Sequence, residues 1–226
     1  MAGVARAAAA GLEVFRARVA GVPYERKGIL YSEMFFLYLC AQAAGVRRIL
    51  ESGRARGQST ALLALCFPQA SIVSVEHDAH SPDAAVAAAR LREFRNVELR
   101  FGDATRILPA LAQPGDIALI DGPKGFRAVR LALRLLAGGR VSMVFLHDVG
   151  PGTPERSFLE RRLPATLYSD DPRFAGIAHS LDSAAGPLPA GNDSWGSGKY
   201  GYSLACLAFQ ENIPYWRLRL AAVFRR

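Results

Sequence analysis

Five short apolar runs, the first four each leading into a helix-patterned stretch, constrain the fold more than any other feature of the chain. The runs are 46–52, 71–78, 96–103, 116–122 and 140–150, and helical spacing follows at 58–66, 82–94, 104–112 and 126–136. A strand that returns through a helix to lie beside an earlier one pairs in parallel, and a parallel sheet needs helices on both faces. After Gly150 the rhythm changes. A short helix is predicted in 151–164, one strand at Phe174–Ser180 and another from Tyr202 to Phe209. The last two are expected to pair antiparallel at one sheet edge. The reading is an α/β fold: a mainly parallel seven-stranded sheet with an antiparallel edge pair and helices on both faces.

Two predicted helices precede the sheet. Gly21 and Pro23 stop the first, and Ser32 caps the second, which ends at Gly45. Residues 1–44 are therefore expected as a helical extension packed on the core. Residues 45–226 form the main domain, with a Gly/Pro-rich loop at 181–201. Phe35, Phe36 and Tyr38 either cover the sheet or meet a second subunit, so a homodimer is allowed.

Composition removes several classes of partner. No run of 18 apolar residues occurs among the 226, so no membrane span and no membrane partner are expected. Arg6, Arg16 and Arg18 interrupt the alanine-rich beginning, which lacks the apolar core of a secretory signal, so a cytoplasmic location is expected. The net charge of +8 comes mostly from arginine. No zinc finger, KH loop or aromatic-basic strand accompanies it, which disfavours nucleic acid. Arg127, Arg130 and Arg134 form a stripe opposite Val129, Leu133 and Leu136, read as a solvated face with phosphate binding second. Cys40, Cys66 and Cys206 are dispersed in apolar contexts and are read as reduced thiols.

In open α/β sheets ligands bind beyond the carboxyl ends of the strands. Here those ends carry Glu51, Ser52 and Gly53; Glu76, His77 and Asp78; Gly102 and Asp103; Asp121, with Lys124 just after it; and His147 and Asp148. The loop after the first strand reads G-x-A-x-G through Gly53, Ala55 and Gly57, with Gln58 next. It has neither the third glycine of a dinucleotide fingerprint nor the G-K-[ST] end of a phosphate loop. An adenosine ligand without a pyrophosphate fits better. Glu76 is placed to accept from ribose hydroxyls, a role that would also suit NAD.

The span Gly45–Gly150 resembles class I S-adenosylmethionine-dependent methyltransferases. Within them it resembles the small bacterial O-methyltransferases of the catechol and caffeoyl-CoA type and the macrocin and cephalosporin-hydroxylase-like group. LESGRARGQST resembles the glycine loop beneath the methionine part of the cofactor, with Ala55 in place of the usual middle glycine. The resemblance implies S-adenosylmethionine contacts from Glu51, Ser52, Gly53, Gly57 and Ser59. VSVEHD places Glu76 on the ribose with His77 beside it, and FGDA places Asp103 and Ala104 near the adenine. DGPK resembles the catechol-type Asp-x-x-Lys segment, in which the acid binds a divalent ion and the lysine helps deprotonate the substrate. That assigns Asp121 to the metal and the cofactor edge, and Lys124 to catalysis.

Where that family has an Asp-Asn pair, this chain has His147 and Asp148. Two readings stay open. Asp121, His147 and Asp148 hold a divalent metal ion, or a neutral His147 is a general base that Asp148 orients. Tyr31, Ser32 and Glu33 are placed to close over the cofactor. Trp195, Lys199 and Tyr200 are placed in a loop over a small-molecule substrate. The implied activity is methyl transfer to a hydroxyl of that substrate. Other chemistry on the same cofactor, such as cyclisation, and a non-catalytic adenosine-ligand binding protein remain as alternatives.

Overall fold

The computed structural model describes residues 1–25, 28–182 and 203–225. Its strands are β1 (Arg48–Ser52), β2 (Ser71–Glu76), β3 (Val97–Phe101), β4 (Asp116–Ile120), β5 (Val141–Leu146), β6 (Leu167–Tyr168) and β7 (Ala205–Ala208). They form one sheet in the order β3-β2-β1-β4-β5-β7-β6. The pairs β1–β2, β1–β4, β2–β3 and β4–β5 are parallel, and β7 runs antiparallel to both β5 and β6. The chain winds outward from β1 in one direction to β3 and then restarts at β4. The crevice between β1 and β4 is thus a topological switch point.

The helices are α1 (Ala2–Val19), α2 (Tyr31–Ala43), α3 (Gln58–Cys66), α4 (Pro82–Leu91), α5 (Ala104–Leu111), α6 (Phe126–Ala137), α7 (Pro154–Arg162), α8 (Pro172–Asp182) and α9 (Tyr215–Val223). Strand side chains alternate between faces, so adjacent residues serve different cores. Ile49, Ile72, Ile117 and Phe145 pack with α1–α4 and α8, whereas Leu50, Val73, Ala118 and Val144 pack with α5, α6, α7 and α9. No described helix is long and apolar enough to cross a membrane.

Several expectations change here. Phe174–Ser180 is helix rather than strand. Phe174, Ala178 and Leu181 are buried at helical spacing, and Phe174 meets the rings of Phe35 and Phe36. The edge partner of β7 is instead the two-residue β6. Ser32 does not cap α2. Leu30 holds that position, its N–H donates to Glu33 Oε2 at 3.0 Å, and the Ser32 N–H donates to Asp182. Phe35, Phe36 and Tyr38 are buried within the chain, so their aromatic surface covers the sheet and is not available to a second subunit.

Candidate active site

The loop between β1 and α3 is built by backbone crowding. Gly53 has φ +83°, and a Cβ there would lie 2.5 Å from the Gly122 nitrogen. Gly57 has φ +79°, and its Cβ would press on Leu91 and Ala87 of α4. Both glycines are therefore required by the protein's own packing, independently of a ligand. Ala55 takes a left-handed φ of +44°, and its N–H donates to Glu76 Oε2 at 2.9 Å. Arg54 turns inward: Nη1 donates to the carbonyls of Ser74 and Arg100, and the guanidinium lies 4.5 Å from the Phe101 ring centre. The loop is tied down across β2 and β3 before any ligand is considered.

Glu51 is fully buried and accepts from Ser59 Oγ (2.5 Å), Thr60 Oγ1 (2.5 Å) and Ser74 Oγ (2.6 Å). Burial raises its carboxyl above the usual range, and the three hydroxyls oppose that shift. This network joins β1, α3 and β2 and occupies both Glu51 and the Ser59 hydroxyl. Ser52 is also fully buried, and its Oγ has no partner among the described residues, as have the Oε1 and Nε2 of buried Gln58. The small space beside Gln58, Ser59 and Asp121 is where unpaired polar atoms gather.

A cavity of about 220 Å³ opens beyond the ends of β1–β4, lined among others by Gly53, Glu76, His77, Asp103, Ala104 and Gly122. Six sequence-predicted ligand contacts or their neighbours thus share one space. Pro123 and Arg127 also line it. Glu76 accepts the N–H groups of Ala55 and His77, one at each oxygen, leaving lone pairs towards the cavity. Asp103 caps α5. Its Oδ1 accepts from the Thr105 N–H and hydroxyl, and those bonds hold its carboxyl below the ordinary range. Tyr31 lies elsewhere, donating to the Val22 carbonyl at 2.6 Å. Trp195, Lys199 and Tyr200 lie outside the described residues.

The ends of β4 and β5 carry a different kind of site. His147 Nδ1 is 2.7 Å from Asp121 Oδ1 and 3.2 Å from Asp148 Oδ1, while Nε2 is 3.2 Å from Glu33 Oε2. Lys124 Nζ donates to both Asp121 and Asp148. Burial works against the imidazolium, but Asp121, Glu33 and Asp148 outweigh it and hold His147 well above the ordinary histidine range. Burial likewise opposes charge on Lys124, yet the two aspartates raise it. Asp121 and Asp148 are lowered: burial alone would raise them, and the two cations prevail. That direction disfavours the neutral His147 expected of a general base. Three carboxylates surround the ring, and Glu33, buried in α2, is the one that sequence reasoning did not connect to it. The available signal was an acid set directly before the apolar run Met34–Leu39.

Asp121, His147 and Asp148 offer donor atoms that all lie within 4.8 Å of one another. In kind and spacing they suit a divalent ion. Lys124 donates to both carboxylates, so an ion entering the triad would take the place of its ammonium group and of any proton on the ring nitrogen.

A mainly parallel sheet restarted at β4, a glycine loop closed on that restart, and a cavity bounded by Glu76 and Asp103 make the Rossmann-like methyltransferase fold. Residues 50–149 match the family described as a methyltransferase domain. The chain is 37% identical over 114 residues to a catechol O-methyltransferase of Mycobacterium tuberculosis (strain ATCC 25618 / H37Rv), covering 48% of this chain and 52% of that one. It thus spans about half the length of the curated relative it matches. Among solved structures, an O-methyltransferase from Bacillus cereus in complex with SAH is 25% identical, with a TM-score of 0.50 over 89% of this chain and 90% of that one. Cofactor-bound Rv0187 from MTB is 26% identical, with a TM-score of 0.50 over 89% and 90%. TomG, an O-methyltransferase from Streptomyces achromogenes in complex with SAM, shares the fold at 22% identity and a TM-score of 0.52 over 81% and 82%.

Proposed function

We propose that the protein transfers the methyl group of S-adenosylmethionine to a hydroxyl of a small molecule. One observation carries the reading. The consecutive residues Asp121 and Gly122 belong to both halves of the site: Gly122 lines the cavity with Glu76 and Asp103, and Asp121 anchors the cation pair Lys124 and His147. Nucleoside-binding and proton-handling groups therefore meet at one turn. Glu76 would hold the ribose, Asp103 and Ala104 the adenine edge, and Ser52 and Gln58 the methionine end. The bound cofactor supplies an electrophilic methyl on a sulfonium.

The chain's own part is to hold the acceptor oxygen in line and stabilise its negative charge. Lys124, whose side chain is 39% exposed, is the cluster's cation within reach of a docking substrate, whereas the His147 side chain is 8% exposed. Asp121 and Asp148 keep Lys124 positive, and Lys124 receives the acceptor as an oxyanion. The lowered carboxylates are weak bases, so the arrangement favours an acidic hydroxyl such as a phenol, whose proton leaves to solvent. His147 fixes the two aspartates by its charge and acts as a positioning residue at neutral pH.

The test is calorimetric titration with S-adenosylhomocysteine, followed by mass spectrometry of reactions with a panel of phenols. One-site binding and a product heavier by one methylene support the reading. Binding without any product across the panel favours the non-catalytic adenosine-ligand protein, and a rearranged cofactor without acceptor favours cyclisation. Failure to bind removes the cofactor assignment. A divalent ion is the second reading, favoured by the spacing of Asp121, His147 and Asp148. Turnover abolished by EDTA and restored by Mn²⁺ would select it.

A further inference from the structure

Four of the six large apolar side chains that stand exposed on the described surface belong to one short segment: Trp216 (58% exposed), Leu220 (54%), Val223 (52%) and Phe224 (86%). On a helix with about 3.6 residues per turn, Trp216, Leu220 and Val223 fall within roughly 60° of arc. Phe224 follows at the helix end. The opposite side of α9 buries Tyr215 and Ala222 on the sheet-covering helix α6. The helix is therefore apolar on its outward face as well as its inward one, and Arg217 and Arg219 border the outward stripe.

The charged side chains lining the adjoining groove are all cationic. Beside the stripe runs a groove of about 300 Å³ lined by Arg127, Arg130 and Arg134 of α6 and by Arg219, with Val223 shared between groove and stripe. Arg225 follows α9. Neither α6 nor α9 contains an acid. None of these six arginines pairs with a carboxylate within 4.0 Å among the described residues. Arg130 and Arg134 instead donate to the carbonyls of Ala222 and Thr105. The stripe read from sequence as a solvated face is one wall of this groove.

We infer that α9 and the arginine groove form a docking surface for an anionic phospholipid bilayer, on which α9 lies in the plane of the interface. Trp, Leu, Val and Phe on one face bordered by arginines are the composition that enters the boundary between headgroups and acyl chains, while the arginines meet lipid phosphates. The absence of a spanning segment does not bear on this mode of attachment. Charge argues against a second copy of the chain, since a symmetric contact would face arginines with arginines and bring no acid to either side. Nucleic acid would satisfy the arginines but leave Leu220 and Val223 unrewarded.

The experiment is co-sedimentation of the full chain with phosphatidylcholine vesicles, with and without phosphatidylglycerol. Binding at least about tenfold tighter to the anionic vesicles is expected, with a blue shift of tryptophan emission. L220S/F224S is expected to weaken it by about tenfold or more while leaving circular dichroism and melting unchanged, because both side chains are exposed. R217Q/R219Q should weaken it comparably at low salt. Three results overturn the inference. One is no partition to either vesicle. Another is binding that salt abolishes and L220S/F224S does not alter, the behaviour of a polyanion site such as one for RNA. The third is a dimer in light scattering that L220D converts to monomer.

Discussion

At the ends of β1–β3 the protein offers a ligand mainly backbone, glycine and the free lone pairs of Glu76. At the ends of β4 and β5 it sets five ionisable side chains against one another. The difference shows in how each end satisfies its polar groups. Near β1 the charged groups turn inward: Glu51 accepts from three hydroxyls, and Arg54 Nη1 donates to two carbonyls. What faces the cavity is shape with a few acceptors. Near β5, Glu33, Asp121 and Asp148 compensate Lys124 and His147. On the proposed function, one end would recognise the cofactor and the other would hold charge for a reacting oxygen.

Lys124→Met should separate the two most sharply. Loss of the cation proposed to receive the acceptor oxygen is expected to lower kcat/KM by about a hundredfold or more. The affinity for S-adenosylhomocysteine, measured by calorimetry, should stay within about threefold. An equal loss in both measurements would erase the distinction between the two ends. Glu76→Ala is the reciprocal change. Removing a charged acceptor is worth about 1.5–3 kcal/mol, so the dissociation constant for the same ligand should rise at least about tenfold. In turnover at saturating cofactor the variant should change far less than Lys124→Met.

Glu51→Ala tests the claim that this acid works for the fold. It leaves the hydroxyls of Ser59, Thr60 and Ser74 without their acceptor in a buried site. A loss of about 2–4 kcal/mol in urea unfolding is expected. Unaltered stability together with lost cofactor binding would return Glu51 to the ligand.

The charge cluster also sets a pH window. His147 is raised on folding, so its contribution to stability is complete below about 6.5 and is lost as pH climbs through the folded value. Asp121 and Asp148 are lowered, so theirs is present above about 3.8 and is lost as pH falls through the folded values. The urea midpoint should therefore be higher at pH 5.5 than at pH 9, and His147→Gln should flatten the alkaline side. A kcat/KM profile with an inflection near 6.5 would show that His147 titrates as an ordinary base after all. The smallest effect concerns Cys66, whose thiol burial pushes up to about 12. Iodoacetamide at pH 8 should leave it unmodified in the folded chain and alkylate it in urea.

The five parallel strands were legible because each is a short apolar run closed by polar residues, and buried parallel strands leave that mark. Phe174–Ser180 was misread because its helical spacing of Phe174, Ala178 and Leu181 is interrupted by Gly176 and bounded by loops. The two-residue β6 is too short to carry any period. In the candidate site, the placing of Glu76, Asp103, Asp121 and Asp148 was legible because each ends or follows a strand.

Sequence alone determined the five parallel strands and the residue types gathered at their carboxyl ends, because periodicity and strand-end position are local properties. Tertiary structure decided how those residues are employed. It buried Glu51 in hydroxyls, turned Arg54 inward and brought Glu33 from α2 onto His147, across 114 positions of sequence. The upward shift of His147 follows from carboxylates contributed by separate elements, Asp121, Glu33 and Asp148. Electrostatic fields and steric crowding depend on distance in space, and no spacing along the chain encodes them.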